Sequence, residues 1–189
     1  MSSPTASTAS FGKLLRRFRG NRRGSAALQF ALVAPLFFAL LFAIIETAIM
    51  FFASQVLETI TQEAARTILT GQAQNAAYTA ATFKSSVVCP QITALFNCNN
   101  IYVDVESYSS FGSISLASHI DGSNNFDPSN MNYCPGTAGQ IVVVRLFYQW
   151  PLFVTGLGYN ISNLTGNMRL LVATAAFQNE PFQGGSSPC

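Results

Sequence analysis

Residues 24–45 read GSAALQFALVAPLFFALLFAII, preceded by Arg22-Arg23 and followed by Glu46. From Ser25 to Ile45 there are 21 residues, of which only Ser25 and Gln29 are polar and none is charged. At about 1.5 Å of rise per residue, this run extends roughly 31 Å as a helix, the thickness of a bilayer's hydrocarbon core. A soluble helix that is apolar all round would need burying on every side, and a chain of 189 residues is small for that. The run is therefore read as a membrane span.

Charge is divided sharply about this run. Residues 1–24 carry Lys13, Arg16, Arg17, Arg19, Arg22 and Arg23 and no acid, whereas residues 25–189 carry eight acids against four cations. Cationic residues flanking a span stay on the cytoplasmic side, so Arg16, Arg17, Arg19, Arg22 and Arg23 predict a cytoplasmic N-terminus. The acidic remainder then lies across the membrane. Topology accounts for the basic block without invoking nucleic acid. The apolar run is too long for a secretory signal peptide, and no A-x-A cleavage site follows it.

Beyond Glu46 the pattern becomes amphipathic. Ile49, Phe52, Ala53, Val56, Leu57, Ile60, Ala64 and Ile68 recur at helical spacing, with Ser54, Gln55, Glu58, Thr59, Gln62, Glu63 and Arg66 largely opposite. Arg66 is expected to pair with Glu63 or Gln62 on the surface. Gly71 is a stop signal, so one helix of about 45 residues is predicted. It carries Pro35 inside the span, where a kink is expected. Glu46 ends the apolar run and is expected in the headgroup layer rather than as an intramembrane acid.

The remainder reads as a small domain. A helical patch is predicted over Ala73–Val88. Ile101, Val103 and Val105 then alternate with Tyr102, Asp104 and Glu106 in a half-buried strand. Ser113–Ser118 is expected to pair back as a hairpin, and residues 121–139 read as a loop. Gln140–Trp150 is dense in β-branched and aromatic residues and predicts the strongest strand. Residues 152–167 form a Gly/Asn-rich excursion, a short helix or a lip at the membrane, and Met168–Phe177 reads as the final strand. The predicted fold is α+β: a long N-terminal transmembrane and amphipathic helix packed on a small antiparallel sheet of three or four strands. Its segments are a basic cytoplasmic leader (1–24), the transmembrane helix (25–45), its amphipathic continuation (46–71) and an exported α+β domain (72–189).

Cys89, Cys98, Cys134 and Cys189 all lie beyond the span. An even count in an exported domain predicts two disulfides with three possible pairings. Cys89 with Cys98, closing a small loop, and Cys134 with Cys189, tying down the tail, is the preferred one. No CxxC occurs and His119 is the single histidine, so neither a zinc site nor any other metal or cofactor is expected. His119 itself reads as a solvated loop residue. Asp121 and Asp127 lack EF-hand spacing, and neither a phosphate-binding loop nor a G-x-S-x-G turn is present. Enzyme activity is not expected.

A long helix, half membrane and half amphipathic, against a small antiparallel sheet resembles the type IV pilin plan. Within it, RRGSAALQFALVAPLFFALLFAIIE is similar to the start of TadE-like proteins of the tight-adherence (Flp) pilus machinery. The shared pattern is a basic run, Gly, a few small residues, then a polar residue before Phe-Ala-Leu and an apolar run containing Pro. EAARTILTG at residues 63–71, VVVRLFYQWP at 142–151 and ATAAFQNEPF at 173–182 resemble the same family, which leaves about residues 72–138 uncovered. The resemblance implies a minor pseudopilin of a bacterial inner membrane, with its domain in the periplasm. Its partners would be the lipid bilayer, other pilins or pseudopilins and the pilus assembly platform. It also implies cutting by a prepilin peptidase at Gly24–Ser25. The fifth residue after that bond is Gln29, where pilins and many TadE-like proteins have Glu. Gln29 keeps hydrogen-bonding capacity but brings no charge to offset a neighbouring ammonium. An uncleaved bitopic accessory protein, binding a pilus or secretion component, is the alternative.

Overall fold

A computed structural model describes residues 24–92, 95–154, 159–183 and 189. The basic run, with Arg16, Arg17, Arg19, Arg22 and Arg23, lies outside the described residues, as do residues 155–158 of the predicted excursion. The chain divides into two compact units, Met1–Ile44 and Ile45–Cys189.

Helix α1 covers Ser25–Leu69, 45 residues, with Pro35 inside it. In the first unit its side chains are largely exposed, among them Leu28, Phe30, Leu32, Leu36 and Leu40. Water would penalise such a surface at about 25 cal/mol per Å² of apolar area. The helix is long and apolar enough to cross a membrane.

In the second unit α1 buries Glu46, Met50, Ala53, Leu57, Ile60, Thr61, Ala64, Ala65 and Ile68. The three- and four-residue spacing of these positions puts them on one helix face. The predicted stripe is corrected at its start, because Ile49 and Phe52 are exposed. The helix turns Met50 and Ala53 inward instead. It ends as predicted before Gly71, whose φ of +76° places it in the left-handed region. Gly71 N–H donates to Ile68 O at 2.9 Å, and Glu180 N–H caps Leu69 O at 3.0 Å. The patch after it is broken rather than continuous: α2 (Gln72–Asn75), α3 (Ala80–Phe83) and a π-helical turn over Lys84–Val88.

Three strands form one antiparallel sheet in the order β1-β2-β3: β1 Ile101–Tyr108, β2 Ile141–Pro151 and β3 Met168–Gln178. Period-two alternation gives the sheet two faces. Val105, Val142, Val144, Leu146, Leu171, Ala173 and Ala175 join Ala53, Leu57, Ile60, Ala64 and Ile68 of α1 in the main core. The alanines let helix and sheet backbones approach closely. The α+β arrangement is thus that expected from sequence, with three strands.

The hairpin expected over Ser113–Ser118 does not form. Phe111–Ser113 is a 3-10 turn, and residues 114–118 have no regular structure. This connection crosses the second sheet face instead and supplies Ala117 O to a buried arginine. Its return covers part of the outer edge of β1, where Val105 N–H donates to Asn132 O (2.9 Å) and Val105 O accepts from Cys134 N–H (2.8 Å). Cys89 is bonded to Cys98 and Cys134 to Cys189.

Candidate functional site

Gly24 directly precedes α1 and is exposed, and a Cβ added there would meet nothing within 4 Å. Packing among the described residues therefore does not require glycine at this position. Gln29 is also exposed on α1, and among the described residues its amide makes no hydrogen bond. In the apolar run these two positions present only a bare backbone and one uncharged polar group.

Glu46 is placed very differently. It is only 9% exposed, and its carboxylate accepts hydrogen bonds from the backbone N–H groups of Phe153 and Val154. The Val154 N–H lies 3.2 and 3.0 Å from the two oxygens. The adjacent Thr47 hydroxyl is hydrogen-bonded to that of Tyr159. Leu152 is buried beside this clamp, and its N–H donates to Asn167 O at 2.9 Å. A carboxylate taken from water needs such donors, because an unpaired buried charge costs several kcal/mol, on the order of the penalties for broken ion pairs. Glu46 is thus a structural anchor for the loop after β2.

The second sheet face holds an ionic cluster. Asp104 of β1 stands directly opposite Arg145 of β2. Arg145 Nε and Nη2 donate to Asp104 Oδ2 at 2.9 and 2.6 Å, and Nη2 also reaches Glu106 Oε1 at 3.1 Å. Nη1 donates to Ala117 O at 3.0 Å. His119 corrects the expectation of a solvated residue. It is 3% exposed, edge-on to the Phe147 ring, with Nδ1 3.2 Å from Asp127 O and Nε2 3.2 Å from Arg145 Nη2. An imidazole donating from Nδ1 to a carbonyl leaves Nε2 as acceptor, which suits a guanidinium donor. The Arg145 guanidinium also lies over the Phe147 ring, 5.4 Å from its centroid. Asp104, Arg145 and His119 are covered and engaged with one another, so this cluster builds the domain.

Two further expectations resolve locally. Arg66 is exposed and makes no ion pair with Glu63 among the described residues, while Gln62 Nε2 donates to Glu58 Oε1 at 3.0 Å. Asp121 accepts from the N–H groups of Asn125 (2.7 Å) and Ser123 (2.8 Å), and Asp127 from Ser129 N–H (2.9 Å). These bonds hold both carboxyls below the usual carboxylate range, Asp121 chiefly through Asn125 and Asp127 through Ser129. Both acids order their own turns. No group of three or more metal-ligating side chains is assembled among the described residues.

Sequence reasoning named Glu46 but missed its partners, and it missed the Asp104–Arg145–His119 cluster. A lone arginine amid VVV and LFY in the densest strand was the available signal, since a buried guanidinium demands an acid nearby.

These features define a class: an α+β domain stapled by two disulfides, preceded by a helix able to cross a membrane. The disulfides fit an oxidising compartment. Residues 24–66 match the family model for TadE-like protein, which takes in the apolar run and most of the domain part of α1. The match suggests a protein associated with the tight-adherence pilus, with pilus components as partners. No curated protein and no solved structure matches the chain.

Proposed function

We propose that this protein is a minor pseudopilin of a tight-adherence pilus, an assembly component and not an enzyme. It crosses the inner membrane once, with residues 1–24 in the cytoplasm and the domain in the periplasm. The observation that carries this reading is the match of residues 24–66 to TadE-like proteins over the span and the domain helix together. The exposed apolar surface of α1 between Leu28 and Ile44 supports it, because lateral helix packing in a membrane works through such surfaces.

Maturation follows from the same reading. A prepilin peptidase cuts Gly24–Ser25 at the cytoplasmic face, and the glycine serves the enzyme, a reading supported by the absence of any neighbour that demands it among the described residues. The N-terminal mass of protein purified from its native membrane tests this. A chain beginning at Ser25, and a Gly24→Val variant that inserts but retains its leader, are the expected results. Wild-type protein of full length in the presence of active peptidase would refute maturation. The second reading, an uncleaved bitopic accessory protein, is favoured by Gln29, which stands uncharged where pilins carry an acid.

A further inference from the structure

Phe153 is the most exposed large apolar side chain among the described residues, at 86%. A phenyl ring left in water forgoes roughly 1.5–3 kcal/mol of burial energy, so a loop tip usually carries a polar residue. The backbone beneath this ring is nevertheless held firmly. Glu46 accepts from the N–H groups of Phe153 and Val154, and Leu152 is rooted in the core.

The anchor's position gives the phenyl its meaning. Glu46 is the first residue after the apolar run, and side chains on a helix lean toward its N-terminus, here the membrane side. On α1 just beyond it, Ile49, Phe51 and Phe52 are exposed at 44%, 62% and 61%. Phe52 lies about 10 Å past Ile45 along the axis, and its ring leans back toward the headgroup layer, roughly 5–8 Å thick on each side of the hydrocarbon core. No charged residue occurs between Glu46 and Glu58 or from Leu146 to Met168, and the cation beside this end, Arg169 opposite Trp150, donates to Ile161 O at 2.7 Å.

We propose that Phe153, with Phe51 and Phe52, forms a foot by which the domain rests in the interfacial layer of the leaflet that α1 enters. Glu46 holds the foot at that depth. The proposal rests on the reading of α1 as a span. The occupant is lipid because Ile49, Phe51 and Phe52 follow the apolar run along the same helix with no charged residue before Glu58, and an arginine beside such aromatics suits a headgroup layer.

The test uses the full chain in phosphatidylcholine vesicles whose acyl chains are brominated either near the ester carbonyl or near the chain end. Trp150, the single tryptophan, is replaced by Phe, and one tryptophan is returned at position 153, 37 or 111. Phe153→Trp is expected to lose more emission to the shallow bromines than to the deep ones. Phe37→Trp should show the reverse order. Phe111→Trp, at the end of β1 farthest from Pro151, should be unquenched. Quenching at 37 without quenching at 153 would overturn the foot and leave the span standing. No quenching at either would overturn both. A photoreactive benzoylphenylalanine at position 153, with Trp150 intact, gives an independent readout in native membranes. Lipid adducts are expected, and adducts to protein alone would replace lipid by a protein partner and refute the proposal.

Discussion

Replacing Arg145 by methionine removes the centre of the cluster on the second sheet face. The substitution deletes both bonds to Asp104, one to Glu106, one to Ala117 O and the contact with His119. Asp104, whose side chain is fully buried, then keeps one hydrogen bond, from Asn132 N–H at 2.8 Å, with His119 Nε2 3.8 Å away. Breaking a buried pair by removing one partner costs about 3–5 kcal/mol, mostly the penalty of the stranded charge. For a domain of this size each kcal/mol lowers the melting temperature by roughly 2–4 °C, so a fall of about 6–20 °C is expected. Removing the stranded charge as well tests the cause. Arg145→Met with Asp104→Leu is expected to recover most of the loss, because apolar replacement of a buried pair is often neutral. Circular dichroism melts of detergent-solubilised wild type, both single variants and the double variant complete the cycle. A single-variant loss below about 1 kcal/mol, or a double variant as unstable as the two singles summed, would refute the reasoning.

Three other outcomes follow from the packing. Gly71→Ala is expected to cost about 1–3 kcal/mol, because the residue has a φ of +76° and its new methyl would collide with the Phe182 ring. A melt within error of wild type would refute it. Removing Cys134–Cys189, with a sequence separation of 55, is expected to cost about 4 kcal/mol, against about 2.5 kcal/mol for Cys89–Cys98 with a separation of 9. Paired serine variants compared by urea unfolding give the order, and the reverse order would contradict it. Burial, and then the neighbouring Tyr78, push the Tyr133 phenol well above its usual range. The neutral form is therefore favoured in the fold. Its contribution is complete below the unfolded value of about 10 and is lost as pH rises through the folded one. Tyr133→Phe should abolish that alkaline loss, and it also removes a buried hydroxyl without a hydrogen-bond partner among the described residues. An unchanged alkaline melting profile would count against the assignment.

Local pattern made much of this molecule legible. An uncharged run of 21 residues followed by a period of three to four specifies one long helix, because backbone hydrogen bonds and side-chain spacing in a helix are set by near neighbours. β-branched and aromatic density marked β2, alternation marked β1, and β3 was also placed within a residue or so of its ends. The pieces resembling TadE-like proteins were likewise linear in sequence, and residues 24–66 match that family.

Tertiary structure decided which polar groups are buried. Alternation placed Asp104 and Glu106 on the second face of β1, but the cover over that face comes from residues 114–132, beyond the reach of any periodicity. That cover turned His119 inward, and the β1–β2 register set Asp104 against Arg145, 41 residues away. Glu46 read as a boundary acid because its run ended there, while its partners lie 107 and 108 residues on. Packing in the main core likewise buries Met50 and Ala53, while Phe51 and Phe52 stay outside. A charge can be recognised as buried only when the segment that covers it is known, and the covering segments here are brought in by the whole fold.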